Sequence, residues 1–242
     1  MSSSGRFFVT GTDTGVGKTL VSALLVHQLK ATGRSVAYMK PVQTGCIRSS
    51  SGIVAPDVEF VHTVNDSQAP DELNDAICPY RLILPASPHL AAEQERVTIH
   101  RERILAAFDC LQSRHDHCVV EGAGGILVPL ARDFLVLDLM KALALPVIVV
   151  CRPSLGTLNH TFMTLQLIRD AGLTVCGLVV VHTTPPSSDP ADEVIISDNH
   201  QTLEQLGQTA ILARLPYVKG LEDPQHARAW LKDSAPCING LE

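Results

Sequence analysis

The sequence is poor in aromatic residues and has no excess of positive charge. Aromatic residues make up 4% of its 242 residues, and the formal net charge is −6. Surfaces that bind nucleic acids usually combine basic patches with aromatic side chains on which bases stack. The composition therefore predicts no nucleic acid among the partners.

Long apolar runs and paired cysteines are also missing. No stretch approaches the roughly 20 apolar residues of a membrane span, and residues 1–6 contain no signal-peptide core. The seven cysteines are odd in number and widely scattered, and they form no C-x-x-C pair. They do not indicate a disulfide framework, so we expect a cytoplasmic protein without a membrane partner.

A glycine-rich loop near the start is the most informative stretch. The loop, GTDTGVGKT at 11–19, follows the apolar run 7–9 and opens into a long apolar helical pattern. Glycines allow successive N–H groups to converge on phosphate oxygens, and the following helix start adds free donors and a favourable dipole. Lys18 would reach the outer phosphates and the Thr19 hydroxyl would bind magnesium. Thr12 stands where the strict motif has glycine, but the context predicts a nucleotide site.

Apolar runs and helical patterns alternate along most of the chain. The runs predict strands at 6–10, 36–39, 118–120, 146–150, 177–181 and 210–212. The helical patterns predict helices at 18–30, 99–112, 134–144, 156–171 and 199–206. This alternation predicts a mostly parallel sheet with helices on both faces. We expect one α/β domain over 1–242, with its core at about 6–217 and a short C-terminal tail.

The segment 44–88 is the least regular part of the sequence. It contains two glycines and five prolines, with one brief helix expected at 57–61. A connection of this length is rarely idle, so we expect it to cover a binding site.

Two charged residues stand where predicted strands end. Lys40 follows the run 36–39 and precedes a proline, and Glu121 follows the run 118–120 and precedes Gly-Ala-Gly-Gly. Ligands of open α/β sheets bind at this carboxyl edge. Glu121 is a candidate for binding magnesium or for orienting the water molecules on that ion. Lys40 is a candidate stabiliser of negative charge, whereas Asp57 is one of several acids in the irregular segment.

Five segments together resemble the ATP-dependent dethiobiotin synthetase family of P-loop NTPases. They are 11–19, 40–45 (KPVQTG), 79–80 with 85–89 (PY and PASPH), 121–125 (EGAGG) and 155–161 (LGTLNHT). The resemblance runs from Phe7 to about Tyr217. It implies that 7,8-diaminononanoate (diaminopelargonate), CO2 and ATP are joined, via a carbamate and a carbamic–phosphoric anhydride, to give dethiobiotin.

The resemblance also implies roles for individual residues. Lys40 and Lys18 would be catalytic, and magnesium would be held by Thr19, Asp57 and Glu121. Nucleotide contacts are implied for Gly15, Val16, Gly17, Lys18, Thr19, Leu20, Asp57, Glu121, Gly122, Ala123, Gly124, His182, Thr183, Leu215, Pro216 and Tyr217. Substrate contacts are implied for Thr14, Lys40, Thr44, Gly122, Ala123, Gly124, Gly156, Thr157, Leu158 and Asn159. The last four would bind the substrate's tail carboxylate across a homodimer interface.

Two residues depart from the family pattern. His182-Thr183 stands where relatives usually carry an asparagine that reads the adenine edge, and a neutral histidine offers one donor and one acceptor with a different geometry. Gly15 stands where some relatives have an acidic residue near the phosphates. Both leave the preference for ATP over other nucleoside triphosphates open.

Two other functions deserve comparison. An amidotransferase-type ligase would usually continue into a glutamine-hydrolysing domain, for which no nucleophilic cysteine motif is apparent before residue 242. A partitioning or assembly ATPase typically has an extra lysine early in its phosphate loop, where this chain has Thr12-Asp13. It also often ends in a membrane- or DNA-binding helix, and none is apparent.

Overall fold

A computed structural model describes residues 5–50, 52–67 and 71–240 of the chain. The strands are β1 Arg6–Gly11, β2 Val36–Met39, β3 Val42–Gln43, β4 Ile47–Ser49, β5 Gly52–Val54, β6 Tyr80–Arg81, β7 His117–Gly125, β8 Pro129–Ala131, β9 Phe134–Leu135, β10 Val147–Cys151, β11 Val175–Val181 and β12 Ile211–Leu215. The helices are α1 Lys18–Ala31, α2 Pro56–Val64, α3 Asn74–Ile77, α4 Pro88–Gln94, α5 Arg101–Gln112, α6 Val136–Leu143, α7 Thr157–Asp170, α8 Pro190–Gly207 and α9 Pro224–Asp233.

Six strands form the central sheet in the order β12-β11-β10-β1-β7-β2. All five neighbouring pairs in this sheet are parallel, which confirms the predicted sheet. The central strands are apolar throughout because both of their faces are covered. In β10, for example, every residue from Val147 to Cys151 is buried.

Successive residues of the central strands point alternately into two apolar layers, one on each face of the sheet. Phe8, Val120 and Val149 point into one layer, with residues of α5, α6 and α7. Phe7, Val119 and Val150 belong to the other layer, with residues of α1, α2 and α9. The period of two along each strand therefore builds a helix–sheet–helix sandwich.

The chain switches faces between two neighbouring central strands. The connection after β1 enters α1 in one layer, and the connection after β7 leads to α6 in the other. A crevice opens at the carboxyl ends of such strands, and this is where ligands of doubly wound sheets bind. The topology thus places the functional site above β1 and β7.

Three predicted elements differ from the structure. Helix α8 begins at Pro190, nine residues before the predicted start, and Asp189 caps it by accepting from the Ala191 N–H. Residues 134–135 form the short strand β9, so α6 begins at Val136. The irregular segment contains the β4–β5 hairpin, besides the brief helix that was expected.

A further helix, α9, was not anticipated by the sequence analysis. It has an apolar face formed by Ala227, Trp230 and Leu231, which is buried against the layer that contains α1 and α2. This face is therefore part of the core. Among the described residues, no helix is both long enough and apolar enough to cross a bilayer.

Candidate active site

The phosphate loop joins β1 to α1 in a conformation that requires glycine. Gly17 precedes α1 with a φ of 99°, and a Cβ added there would lie 2.9 Å from Cγ1 of Val181. Left-handed backbone and close packing both exclude larger residues at this position. The N–H groups at the start of α1 have no partner within the helix and can bind an anion.

Lys18 is held over the loop as the first residue of α1. Its ammonium group donates to the carbonyl oxygen of Asp13 at 2.7 Å, and the residue is only 7% exposed. Burial, followed by the positive charge of Lys40, lowers the pKa of Lys18 to about 8. A phosphate group would restore the favourable environment that the buried ammonium lacks.

Lys40, Asp57 and Glu121 form a buried charge cluster at the same edge of the sheet. The Lys40 Nζ atom lies 2.7 Å from Oδ2 of Asp57 and 2.7 Å from Oε1 of Glu121. The same Glu121 oxygen accepts a 3.0 Å hydrogen bond from the hydroxyl group of Thr19. These residues come from four separate parts of the chain, and the fold brings all four together.

The environment of the cluster keeps Lys40 positively charged. Burial disfavours the ammonium form, but the negative charges of Glu121 and Asp57 outweigh it and raise the pKa of Lys40. The side chain of Glu121 is fully buried and that of Asp57 is 30% exposed. Lys40 is thus a permanent cation close to the phosphate loop.

A cavity of about 760 Å³ connects the phosphate loop with this cluster. Besides Lys18, Thr19, Lys40, Asp57 and Glu121, it is lined by the expected site residues Thr14, Gly15, Gly17, Thr44, Ala123 and Gly124. Residues 42–44 and 85–88 supply much of the remaining wall. The irregular segment therefore covers the site, as its length predicts.

The expected residues near the nucleoside lie outside this main cavity. His182 and Thr183 line a separate cavity of about 360 Å³ with Arg152. The His182 N–H donates to the Leu215 carbonyl at 3.0 Å, so the segment 215–217 begins beside His182. Burial lowers the pKa of His182, which favours its neutral form.

Another cavity adjoins the phosphate loop on the side of α2. It measures about 470 Å³, includes Thr19 and Leu20, and is mostly lined by apolar residues. The carboxylates of Asp57, Glu59 and Glu222 also line it. An apolar wall with a few carboxylates beside a phosphate loop suits the nucleoside part of a nucleotide.

The remaining expected residues are placed as follows. Val16 is buried in the core behind the loop, and the carbonyl of Gly122 lies 3.4 Å from the Lys40 Nζ atom. The helix start at 156–159 does not line the main cavity of its own chain. Gly156 has a φ of 92° and precedes α7, and the first N–H group of this helix, that of Thr157, donates to the Ser154 carbonyl at 3.1 Å.

Sequence reasoning missed several polar residues at the site, among them Glu222, Arg152 and Tyr38. Arg152 directly follows β10 and donates to the Thr14 carbonyl at 2.9 Å, which adds a positive charge beside Gly15. Tyr38 is buried in β2 and donates to Oε2 of Glu121 at 2.8 Å. Because Arg152 comes directly after an apolar strand, its place at the carboxyl edge of the sheet could have been predicted from the sequence.

The oxygen atoms of Thr19, Asp57 and Glu121 fit a magnesium ion. Mg²⁺ prefers oxygen ligands and is usually held by one or two carboxylates together with substrate phosphates and water. The described residues contain no group of three His, Cys, Asp or Glu side chains that could hold a metal without such help. This donor set therefore suits an ion that arrives with a nucleotide.

Comparisons with known proteins give a consistent assignment. Residues 5–225 match the family described as an AAA domain. The ATP-dependent dethiobiotin synthetase of Thermodesulfovibrio yellowstonii is 35% identical over 94% of this chain and 95% of that protein. The enzyme of the same name from Methanococcus vannielii is 41% identical over 85% of this chain and 90% of that protein.

Solved structures with a similar fold include a ParA family ATPase and a cell division protein complex. A ParA family ATPase from Chlorobium tepidum has a TM-score of 0.55 at 15% identity and covers 96% of this chain and 93% of that one. A MinC:MinD cell division complex from Aquifex aeolicus gives 0.59 at 15% identity, with 94% and 88% covered. Such low identity shows the shared fold alone, whereas the two sequence relatives are 35% and 41% identical over most of both chains. The chain therefore belongs to the ATP-dependent dethiobiotin synthetase family.

Proposed function

We propose that this chain uses ATP to close a cyclic urea on 7,8-diaminononanoate with CO2, giving dethiobiotin for biotin synthesis. The observation that carries the proposal is the single cavity in which the phosphate loop, Lys18 and Lys40 meet. A carbamate and a triphosphate are both anions, so their approach requires fixed positive charge. Preorganised charge of this kind is usually the largest catalytic contribution.

In the first step, one amine of the substrate adds to CO2 and releases a proton, which forms a carbamate. We assign Lys40 to stabilise this carbamate, because its ammonium group is buried, permanently charged and lines the cavity. We assign Thr14 and Thr44 to contact the diamine or its carbamate. Amide groups of residues 122–124 would line the substrate, where glycines allow the backbone to come close.

In the second step, a carbamate oxygen attacks the γ-phosphorus and ADP leaves. Lys18 and the loop N–H groups would hold the phosphates while this transfer takes place. The product is a carbamic–phosphoric anhydride. The second amine then attacks its carbonyl carbon, phosphate leaves, and loss of a proton completes the cyclic urea.

Thr19, Asp57 and Glu121 would hold magnesium together with the nucleotide. Bound there, the ion would neutralise negative charge on the phosphate oxygens. The carboxylates of Asp57 and Glu121 also bind Lys40, so one pair of acids positions both cations.

The nucleoside would extend from the phosphate loop along Leu20. The cavity that contains Leu20 and Glu222 supports this path, because a carboxylate can accept hydrogen bonds from ribose hydroxyls. His182, Thr183 and residues 215–217 would then contact the base. A neutral His182 can both donate and accept, so discrimination between bases must be measured for each triphosphate.

We further propose that the protein acts as a homodimer in the cytoplasm. Large apolar side chains are exposed on α7, on α8 and before α7, among them Leu155, Met163, Val194 and Leu206. Apolar surface of this kind often marks an interface. The helix start at 156–159 would then serve the partner's cavity. The seven free cysteines are compatible with a reducing compartment.

The decisive experiment supplies diaminopelargonate, bicarbonate, Mg²⁺ and one nucleoside triphosphate at a time. We expect phosphate and dethiobiotin to appear in equal amounts, and only when the diamine is present. The Lys40→Met variant is the matched negative control, because it removes the proposed carbamate contact and leaves the phosphate loop intact. Phosphate release that does not depend on the diamine would contradict the proposal and favour a partitioning ATPase.

A further inference from the structure

The strand register places Tyr38 beside the charge cluster. Tyr38 of β2 pairs with Val119 of the neighbouring parallel strand β7. Side chains two residues apart lie on the same face of a strand. Glu121 stands two residues after Val119, and Lys40 stands two residues after Tyr38, so the same side of the sheet presents all three polar side chains.

The contacts divide the two oxygens of Glu121 between different partners. Oε1 accepts from the Thr19 hydroxyl and the Lys40 ammonium group, at 3.0 and 2.7 Å. Oε2 accepts from the Tyr38 hydroxyl at 2.8 Å. Because the side chain of Glu121 is fully buried, water cannot replace these partners at little cost.

Tyr38 is suited to be a permanent donor. It is 3% exposed and packs among apolar residues of the layer that contains α1 and α2. Its ring is fixed by this packing, and its hydroxyl group has the carboxylate as its partner. The hydrogen bond from Tyr38 therefore fixes Oε2 of Glu121, the carboxylate oxygen that does not contact Thr19.

We propose that Tyr38 is a positioning residue that orients Glu121 so that Oε1 faces Thr19 and the magnesium carried by the nucleotide. The inference rests on the proposed magnesium site. Without the Tyr38 hydroxyl, the carboxylate can rotate and place either oxygen towards Lys40. Partners that orient a metal ligand in this way commonly change metal affinity by about 10- to 100-fold.

The test measures binding rather than turnover. Calorimetry would give the affinity for a nonhydrolysable β,γ-methylene analogue of ATP, with Mg²⁺ and with a chelator, for the unsubstituted protein and for Tyr38→Phe. We expect the gain in affinity that Mg²⁺ provides to fall by about tenfold in Tyr38→Phe. The affinity measured in chelator should change by less than about twofold, since the phosphate loop is unaltered.

Tyr80→Phe is the matched control. Tyr80 is equally buried, and its hydroxyl group accepts from the His100 N–H at 2.8 Å, away from the site. This variant should keep the full gain from Mg²⁺. If Tyr38→Phe does not fold, Tyr38→Met keeps an apolar side chain in the same space and undergoes the same measurement.

The outcomes separate this inference from the proposed function. If the gain in affinity from Mg²⁺ is unchanged in Tyr38→Phe, or is reduced equally in Tyr80→Phe, the positioning role is overturned and the ligase proposal still stands. No gain from Mg²⁺ in the unsubstituted protein would instead overturn the magnesium assignment, and the positioning role with it.

Discussion

Replacing Lys40 with methionine tests both the chemistry and the stability of the charge cluster. Methionine keeps an unbranched chain and removes the ammonium group that contacts Asp57 and Glu121, each at 2.7 Å. Removing one partner of a buried ion pair usually costs about 3–5 kcal/mol, because a charge remains buried and unpaired. Asp57 is 30% exposed, so we expect a loss near the lower limit, roughly 3 kcal/mol in the free energy of unfolding.

The stability assay is urea or thermal unfolding in a buffer with chelator, so that no divalent ion replaces the ammonium group. For domains of 150–250 residues, each kcal/mol corresponds to roughly 2–4 °C, which predicts a fall in Tm of about 6–12 °C. Lys141→Met is the control, because Lys141 is exposed on α6. We expect it to change the free energy of unfolding by less than about 0.5 kcal/mol.

The kcat of Lys40→Met should fall by about 10²- to 10³-fold, as expected when one preorganised charge is removed from the transition state. Its affinity for the nucleotide should be largely retained, because Lys18 and the loop are intact. Near-normal turnover would remove Lys40 from the mechanism.

A second substitution separates the two effects. In Glu121→Gln the fully buried negative charge is already absent, so adding Lys40→Met should cost less stability than it does alone. The double variant should nevertheless remain inactive. Equal losses of stability in both backgrounds would refute the argument that Glu121 is the main buried partner of Lys40.

Three further predictions follow from single observations. The pKa of Lys18 is lowered to about 8 in the free protein, and bound phosphate raises it. The affinity for ADP, measured in chelator, should therefore be constant below pH 8 and fall above it by up to tenfold per pH unit. An affinity that stays constant to pH 9.5 would contradict this. Gly17→Ala should lower the free energy of unfolding by about 1–3 kcal/mol and weaken nucleotide binding. Both effects should exceed those of Gly33→Ala, because Gly33 also has a positive φ but has open space around it. Equal losses of stability would mean that the contact with Val181 is unimportant. The double variant Met163→Asp/Leu206→Asp should sediment as a monomer if the unsubstituted protein sediments as a dimer, and a dimer that persists would exclude these two residues from the interface.

The sheet edge was predictable from local patterns. Lys40 and Glu121 each follow a short apolar run, and the carboxyl ends of parallel strands share one edge of a sheet. Their contact at 2.7 Å depends in addition on β2 lying next to β7. Strand order is a long-range property, so the sequence predicts the neighbourhood of these residues but not their contact.

Asp57, the candidate metal ligand in the irregular segment, could not be identified from local sequence patterns. Several acids lie there, and the resemblance alone favoured Asp57. In the structure Asp57 contacts Lys40, whereas Asp66 lies 2.6 Å from Arg228 of α9 and Asp75 pairs with Arg81 at the surface. Each acid has the same local chemistry, and only the tertiary position of α2 distinguishes them.

Tyr38 shows where a sequence pattern could have been used further. A tyrosine in a strand that is otherwise apolar must satisfy its hydroxyl group when it is buried, and Tyr38 lies two residues before Lys40, on the same face. This spacing predicts that the hydroxyl points towards the site. It does not identify Glu121 as the acceptor, because the acceptor is set by the register in which Tyr38 pairs with Val119. β7 is also paired with β1, so a shift of the β2–β7 register by one residue would place Tyr38 on the face opposite to Glu121, and the pairing of two strands decides whether this contact exists.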